Sequence, residues 1–266
     1  MSRDARWNAL LELLAQHGRV EVEDAAASLD VSAATIRRDL DQLAEQQMLT
    51  RTRGGAVAHG VSYELPLRYK TARNTSEKQR IGRAAADLVA VGEVVGLTGG
   101  TTVTEVARAL SVRADIAGDT AAGAGLRPAL TVVTNALNIA NELVIRPQIK
   151  IVVTGGVARP QSYELIGPLA GGVLEEIILD VAVLGVNALD TARGAYVHHE
   201  GEARINRLLA ERAQRVVVAA DSSKIGKRAF ARVCDLSRID VLVTDTGIAP
   251  EAAARFGEAG ITVVTV

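Results

Sequence analysis

From Val94 onward, short apolar runs rich in β-branched residues recur at 94–97, 131–133, 149–153, 181–186, 215–219, 240–244 and 261–265, with helix-length stretches between them. A strand with one wet face alternates apolar with polar residues, whereas a continuous apolar run needs cover on both faces. Runs of this kind alternating with helices predict an α/β fold built on a doubly wound, mainly parallel sheet. The 24 glycines and 48% hydrophobic residues of the 266-residue chain supply the turns and the core that such a sheet needs.

In a doubly wound sheet, ligands sit beyond the carboxyl ends of the strands. Here the first run leads into Thr98-Gly99-Gly100-Thr101-Thr102 and then into a helical stretch, Val103 to Leu110. Glycines let the backbone approach an anion, the first N–H groups of the helix point at it, and threonine hydroxyls add donors. The later strand ends carry Thr134-Asn135, Thr154-Gly155-Gly156, Asn187 and Asp221-Ser222-Ser223-Lys224. These are expected to converge on one crevice, where Lys224 would neutralise a phosphate seated on the glycine-threonine turn. The stretch 111–129 breaks the rhythm with A-G-D-T-A-A-G-A-G and is expected to be a flexible surface insertion.

The first 57 residues follow another pattern. Trp7, Leu10, Leu11 and Leu14, then Val20 to Leu29, then Val31, Ile36, Leu40 and Leu43 predict three short helices. Leu49 to Val57 reads as two extended stretches around a Gly54-Gly55 turn. The order is that of a winged helix-turn-helix. Ser32 is placed to cap the third helix by accepting from the N–H of Ala34 or Thr35. With Ile36, Leu40 and Leu43 buried, Thr35, Arg37, Arg38, Asp41 and Gln42 must point elsewhere. Arginine can grip guanine in the major groove and threonine can meet a thymine methyl. Arg51 and Arg53, two apart in the expected strand, would emerge on one face towards phosphates or a minor groove.

Net charge gives no independent support for nucleic acid. The chain carries a formal charge of −1, and residues 1–60 hold seven arginines against nine acids. Position, rather than bulk charge, has to carry the argument. Between the two patterns, 58–75 shows neither period and reads as a connector. Ser76-Glu77-Lys78-Gln79 then has the form of a capping box that opens a helix with Ile81, Ala85 and Leu88 on its apolar face. The expected domains are therefore 1–57, a 58–75 linker, and 76–266.

V-S-A-A-T-I-R-R-D-L-D-Q-L followed by R-T-R-G-G-A resembles the recognition helix and wing of the DeoR family of transcriptional regulators. E-K-Q-R-I-G, L-T-G-G-T-T, T-V-V-T-N-A, V-T-G-G, L-I-G-P and D-S-S-K resemble, in order, that family's sensing domain, which is similar in fold to ribose-5-phosphate isomerase and glucosamine-6-phosphate deaminase. The resemblance implies that Ser32, Thr35, Arg37 and Arg38 meet operator DNA, with Arg51 and Arg53 as wing contacts. It implies a phosphorylated sugar as effector, held by Gly99, Gly100, Thr101, Thr102, Asn135 and Lys224. Asp39 belongs to the motif but, being acidic, is expected to orient Arg37, Arg38 or a neighbouring arginine. Three departures bear on which sugar is read: Thr98 stands where relatives commonly carry an acid, His198-His199 where threonine is usual, and the 111–129 stretch is long.

The competing reading is a sugar-phosphate isomerase or deaminase fused to a DNA-binding head. Such chemistry needs a base near the first carbons of the sugar. The isomerases resemble D-G-A-D-E at the fourth strand; this chain has G-V-N-A-L-D, with Asp190 as the surviving candidate. No catalytic residue is therefore assigned. No cofactor and no metal are expected, since His198, His199, Glu200 and Glu202 lack a ligand spacing of the H-E-x-x-H kind. Cys234 is the single cysteine, expected as a small buried apolar residue. With no run near the roughly 20 apolar residues of a membrane span and no apolar leader, the expectation is a cytoplasmic regulator. A homo-oligomer is expected, because operators are usually read as paired half-sites.

Overall fold

The computed structural model describes residues 1–45, 48–57, 67, 74–117 and 128–266. The chain divides into two compact units, Met1–Arg73 and Asn74–Val266.

In the first unit, α1 (Arg3–His17) ends at Gly18, whose φ of 73° is the left-handed conformation that closes a helix. β1 (Arg19–Glu21), α2 (Val22–Leu29) and α3 (Ala33–Glu45) follow, then β2 (Thr50–Arg51) and β3 (Gly55–Val57). The three strands form a small antiparallel sheet in the order β1-β3-β2. The expected helix from Val20 is thus corrected: Val20 belongs to β1, paired with Ala56, and the helix begins at Val22. A β-branched residue that packs onto a neighbouring strand gains more there than in a helix end. Gly55 permits the pairing, since a Cβ on it would stand 1.9 Å from the Val20 carbonyl oxygen. Trp7, Leu10, Leu11, Leu14, Ile36, Leu40 and Leu43 form one core with Val20, Leu49 and Ala56.

In the second unit, α4 (Thr75–Asp87) precedes β4 (Val94–Leu97), α5 (Thr101–Val112), the short α6 (Ala114–Ala117), β5 (Leu130–Thr134), α7 (Leu137–Leu143) and β6 (Ile149–Val153). A hairpin of β7 (Val157–Ala158) and β8 (Leu165–Ile166), then α8 (Gly172–Glu175), lead to β9 (Leu179–Leu184). β10 (Ala188–Asp190), β11 (Gly194–Val197), α9 (Glu200–Arg212), β12 (Ala213–Ala219), β13 (Ala231–Cys234), β14 (Val241–Thr244), α10 (Pro250–Glu258) and β15 (Thr262–Thr265) complete it. All seven runs read from the sequence are strands of one sheet, ordered β15-β14-β12-β9-β4-β5-β6 and parallel throughout. β10, β11 and β13 form a separate antiparallel sheet.

Continuous apolar strands are explained by their two cores. Val181 and Val183 pack with Ile81, Val103, Val106 and Ile139 on one side, while Ala182 and Leu184 pack with Ile205, Leu209 and Phe256 on the other. The chain leaves β4 towards β5 in one direction, and β9 returns on the other flank of β4, so the β4/β9 border is the topological switch point.

Two local expectations are corrected. Asn74, with φ 51°, occupies the N-cap of α4, and Ser76 lies inside the first turn with its hydroxyl on Glu77, so no capping box forms. The ends of the 111–129 stretch are packed rather than loose: Ser111 still belongs to α5, and Ile116 is fully buried beside Leu110 and Leu130. Residues 118–127 of that stretch, and 58–66 and 68–73 of the connector, lie outside the described residues.

Candidate functional site

On the first unit, Ser32 caps α3 as expected: its Oγ accepts from the N–H of Thr35 at 3.2 Å and meets the Thr35 hydroxyl at 2.9 Å. Burial of Ile36, Leu40 and Leu43 turns Arg37 and Arg38 outward, and both are exposed. Arg37 reaches back to Glu23 of α2 at 2.9 Å, an exposed pair of the kind worth at most about 1 kcal/mol, so a phosphate can readily replace the carboxylate.

Asp39 orients an arginine, as expected, and the arginine is Arg6 of α1. Asp39 is 3% exposed and accepts from Arg6 and, at 2.9 Å, from the Trp7 indole N–H, both on α1. Its partner is therefore Arg6 rather than Arg37 or Arg38, and the bond to Asp39, together with its negative charge, holds the Arg6 pKa above its ordinary value despite burial. The wing is also reshaped. β2 ends at Arg51, which pairs with Asp41 at 2.7 Å and bonds the Gly55 carbonyl, whereas Arg53 stands exposed in the turn. The two arginines do not share a strand face, because Thr52 folds the chain back by accepting from Gly55 N–H.

In the second unit, the parallel sheet places the ends of β4, β5, β6, β9, β12 and β14 along one edge. The turn after β4 is held from below: Thr98 Oγ1 accepts from Gly185 N–H, at the end of β9, at 2.8 Å. Thr98 is fully buried and spent on this bond. Gly100 has φ 113°, open to glycine and strained for other residues, and precedes the first N–H groups of α5. Thr104 hydroxyl closes the turn on the Gly100 carbonyl at 2.9 Å.

Asn135 is brought against this turn by Glu164, which the sequence reading missed. Leu165 N–H donates to the Asn135 carbonyl and Leu137 N–H to the Tyr163 carbonyl, pinning the 159–165 segment beside the β5–α7 junction. Asn135 Nδ2 donates to Glu164 at 2.9 Å, and Asn206 Oδ1 lies 3.5 Å from the same nitrogen. Glu164 presses so closely on Gly99 that a Cβ there would meet its Cγ at 2.4 Å. The signal for Glu164 lay directly before the L-I-G-P motif, but sequence alone gives no reason for a turn carboxylate to be buried.

Not every expected loop joins this cluster. Asn187 is spent on the β10–β11 hairpin, where its side chain accepts from His198 N–H at 3.0 Å. Thr154 N–H donates to the Thr134 carbonyl at 3.1 Å, Gly155 faces the Leu169 carbonyl, and Gly156 packs against Ile166 and Ala170. Lys224 ends a 3-10 turn capped by Asp221; its strand, β12, is separated from β4 only by β9, or about 10 Å at the usual strand spacing. Asp221 accepts from Asn74 Nδ2 at 3.3 Å, and Ser222 is bound to Asp245 through its N–H and hydroxyl.

Asp190 is poorly suited to be a base. Burial pushes its pKa up, but Arg228 and the N–H groups of Ala192 and Arg193 outweigh this and hold it below the ordinary carboxylate range. His199 caps α9 by accepting from Gly201 N–H. Among the described residues no group of three His, Cys, Asp or Glu side chains is placed to hold a metal, and no helix is long and apolar enough to cross a membrane. Cys234 is buried, which pushes its thiol up to about 11.

Residues 6–60 match the DeoR-like helix-turn-helix domain and residues 73–246 the DeoR C terminal sensor domain. The chain is 34% identical to the HTH-type transcriptional regulator GlpR of Haloferax volcanii, over 97% of this chain and 96% of the relative. It is 31% identical to the glycerol-3-phosphate regulon repressor of Escherichia coli strain K12, over 92% of each chain. Ribose 5-phosphate isomerase A of Methanocaldococcus jannaschii covers 57% of this chain, and is itself covered to 55%, at 18% identity and a TM-score of 0.41, a likeness of layout from which no chemistry is drawn.

Proposed function

The chain belongs to the DeoR family of transcriptional regulators, and from this premise we propose that it represses genes of sugar metabolism by occupying their operator until a phosphorylated sugar releases it. It is a regulator and not an enzyme. In the proposed division, 1–57 reads DNA, 58–75 connects and 76–266 senses. Thr35, Arg37 and Arg38 read the major groove from a helix whose start Ser32 fixes; Arg53, and Arg51 once released from Asp41, hold phosphates. The protein works in the cytoplasm as a homo-oligomer.

One observation carries the effector half of this reading. The Gly99–Thr102 turn, at the switch point of the sheet, adjoins Asn135, which is fully buried yet has a side-chain oxygen with no hydrogen-bond partner. A buried polar atom left unsatisfied costs about 1–3 kcal/mol, which a ligand hydroxyl donating to it would recover. A phosphate on the turn, neutralised by Lys224, would set the rest of a sugar against Asn135.

The reading is tested by operator titration with and without phosphorylated sugars chosen by a thermal-shift screen. The parent protein should lose operator affinity on saturation with the effector. Lys224→Ala should still bind the operator and no longer respond. Full effector affinity in that variant, or an operator affinity unmoved by saturating effector, would sink the mechanism.

A further inference from the structure

Helix α9 buries Glu202, Ile205, Asn206 and Leu209 on one side, and Asn206 reaches Asn135 from there. Positions 200, 203, 204 and 207 fall on another side of the same helix. There Glu200, Ala203, Arg204 and Arg207 line an open cleft of about 480 Å³, closed by Ala231 and Arg232 of β13. Three guanidinium groups thus share the cleft with one carboxylate, which leaves two positive charges in excess. The three arginines are not equivalent. Arg207 is fastened, since its Nε donates to the Val233 carbonyl at 3.1 Å and its Nη2 to the Arg232 carbonyl at 2.6 Å. Backbone carbonyls fix the plane of the group without cancelling its charge, and they use two of its five N–H donors. Arg232 is half-exposed and pairs with Asp235. Arg204 is exposed and has no hydrogen bond or ion pair among the described residues, although Glu200 stands one turn away on the same helix.

We infer that this cleft is a second anion site of the sensing unit, distinct from the Gly99–Thr102 turn, and that it takes a small multiply charged anion, a di- or triphosphate or a tricarboxylate. Gathering three guanidiniums around one cleft costs electrostatic free energy that a single carboxylate does not offset and a bound anion would. A cleft lined by one sign of charge also raises the local concentration of its counter-ion. Arginine forks present paired N–H groups that match the oxygens of phosphates and carboxylates. Ala203 and Ala231 end at Cβ and leave the floor between the forks open. The cleft is larger than one phosphate, and its arginines stand on two elements, so the fitting ligand spreads its charge over more than one group. The site goes beyond the effector reading above and does not depend on it.

The test is calorimetric titration of the full-length protein at low salt with pyrophosphate, tripolyphosphate and citrate, and with inorganic phosphate alongside. At least one polyanion should bind more tightly than inorganic phosphate, and added salt should weaken it; the phosphate and citrate arms tell polyphosphates from polycarboxylates. Arg204→Ala removes a side chain without a partner and so leaves the fold intact, which thermal melting checks. It should weaken polyanion binding by about tenfold, as loss of one charge-assisted contact does. Arg204→Ala combined with Arg232→Ala should weaken it further. Lys224→Ala, at the other proposed site, should leave it unchanged. Polyanion affinity equal to that of the parent in the double variant overturns the inference. So does its loss in Lys224→Ala, which would move the binding to the other site, and so does a parent that takes none of the three polyanions more tightly than inorganic phosphate.

Discussion

Arg38 and Arg53 are both exposed, but their settings differ, and so should the consequences of removing them. Arg38 stands on the helix proposed to face base edges; Arg53 stands in a turn suited to phosphate. Arg38→Ala should weaken specific operator binding by about 1–3 kcal/mol, whereas Arg53→Ala should weaken all DNA alike and reduce the salt slope by about one unit. Titrations at several salt concentrations separate the two, and identical behaviour of both variants would refute the assignment. Asp39 acts otherwise. It is buried and shared by Arg6 and Trp7 across two helices, and removing one partner of a buried pair typically costs about 3–5 kcal/mol. Asp39→Ala should therefore lower the unfolding midpoint of the head in denaturant, and a midpoint equal to that of the parent would show the pair to be ornamental.

At the scale of elements, the loops after β12 and β14 are coupled by one carboxylate. Asp245 accepts from Ser222 N–H, Ser222 hydroxyl and, at 2.9 Å, Gly247 N–H. Burial alone would raise its pKa, but these donors prevail and hold it below the ordinary carboxylate value. A carboxylate depressed in the folded state contributes stability that is present above its unfolded pKa, about 3.9, and lost as pH falls through its folded value. The sensing unit should lose this contribution only below about pH 4, and Asp245→Asn, which cannot titrate, should narrow its stability deficit against the parent over that range. Denaturant melts from pH 7 down to pH 2.5 measure this; a deficit that stays constant with pH would contradict it.

For the whole molecule, a single head of this size offers little contact area, and paired half-sites normally require paired heads. Sedimentation should show at least a dimer at micromolar concentration, free or on DNA, and a monomer in both states would reject the proposed mode of operator reading. The proposed effector release would also oblige reciprocity: whatever factor a sugar phosphate took from operator affinity, the operator would take from sugar-phosphate affinity.

Local patterns sufficed for much of this. Seven apolar runs determined a two-sided parallel sheet, because continuous β-branched stretches have no other stable place, and the spacing of Ile36, Leu40 and Leu43 determined which way Arg37 and Arg38 face. Ser32 was legible as a cap because capping involves only neighbours in sequence. The strand order, and with it the switch point beside Gly99, was decided by tertiary packing, since parallel strands of similar composition can exchange places without altering any local preference. So too were the burial of Glu164 on Gly99, the capture of Asp39 by Arg6 from 33 residues away, and the fold of the wing that parts Arg51 from Arg53. Each depends on a partner distant in sequence, and a charged side chain shows nothing in its own neighbourhood of the hydrogen bonds that make its burial possible.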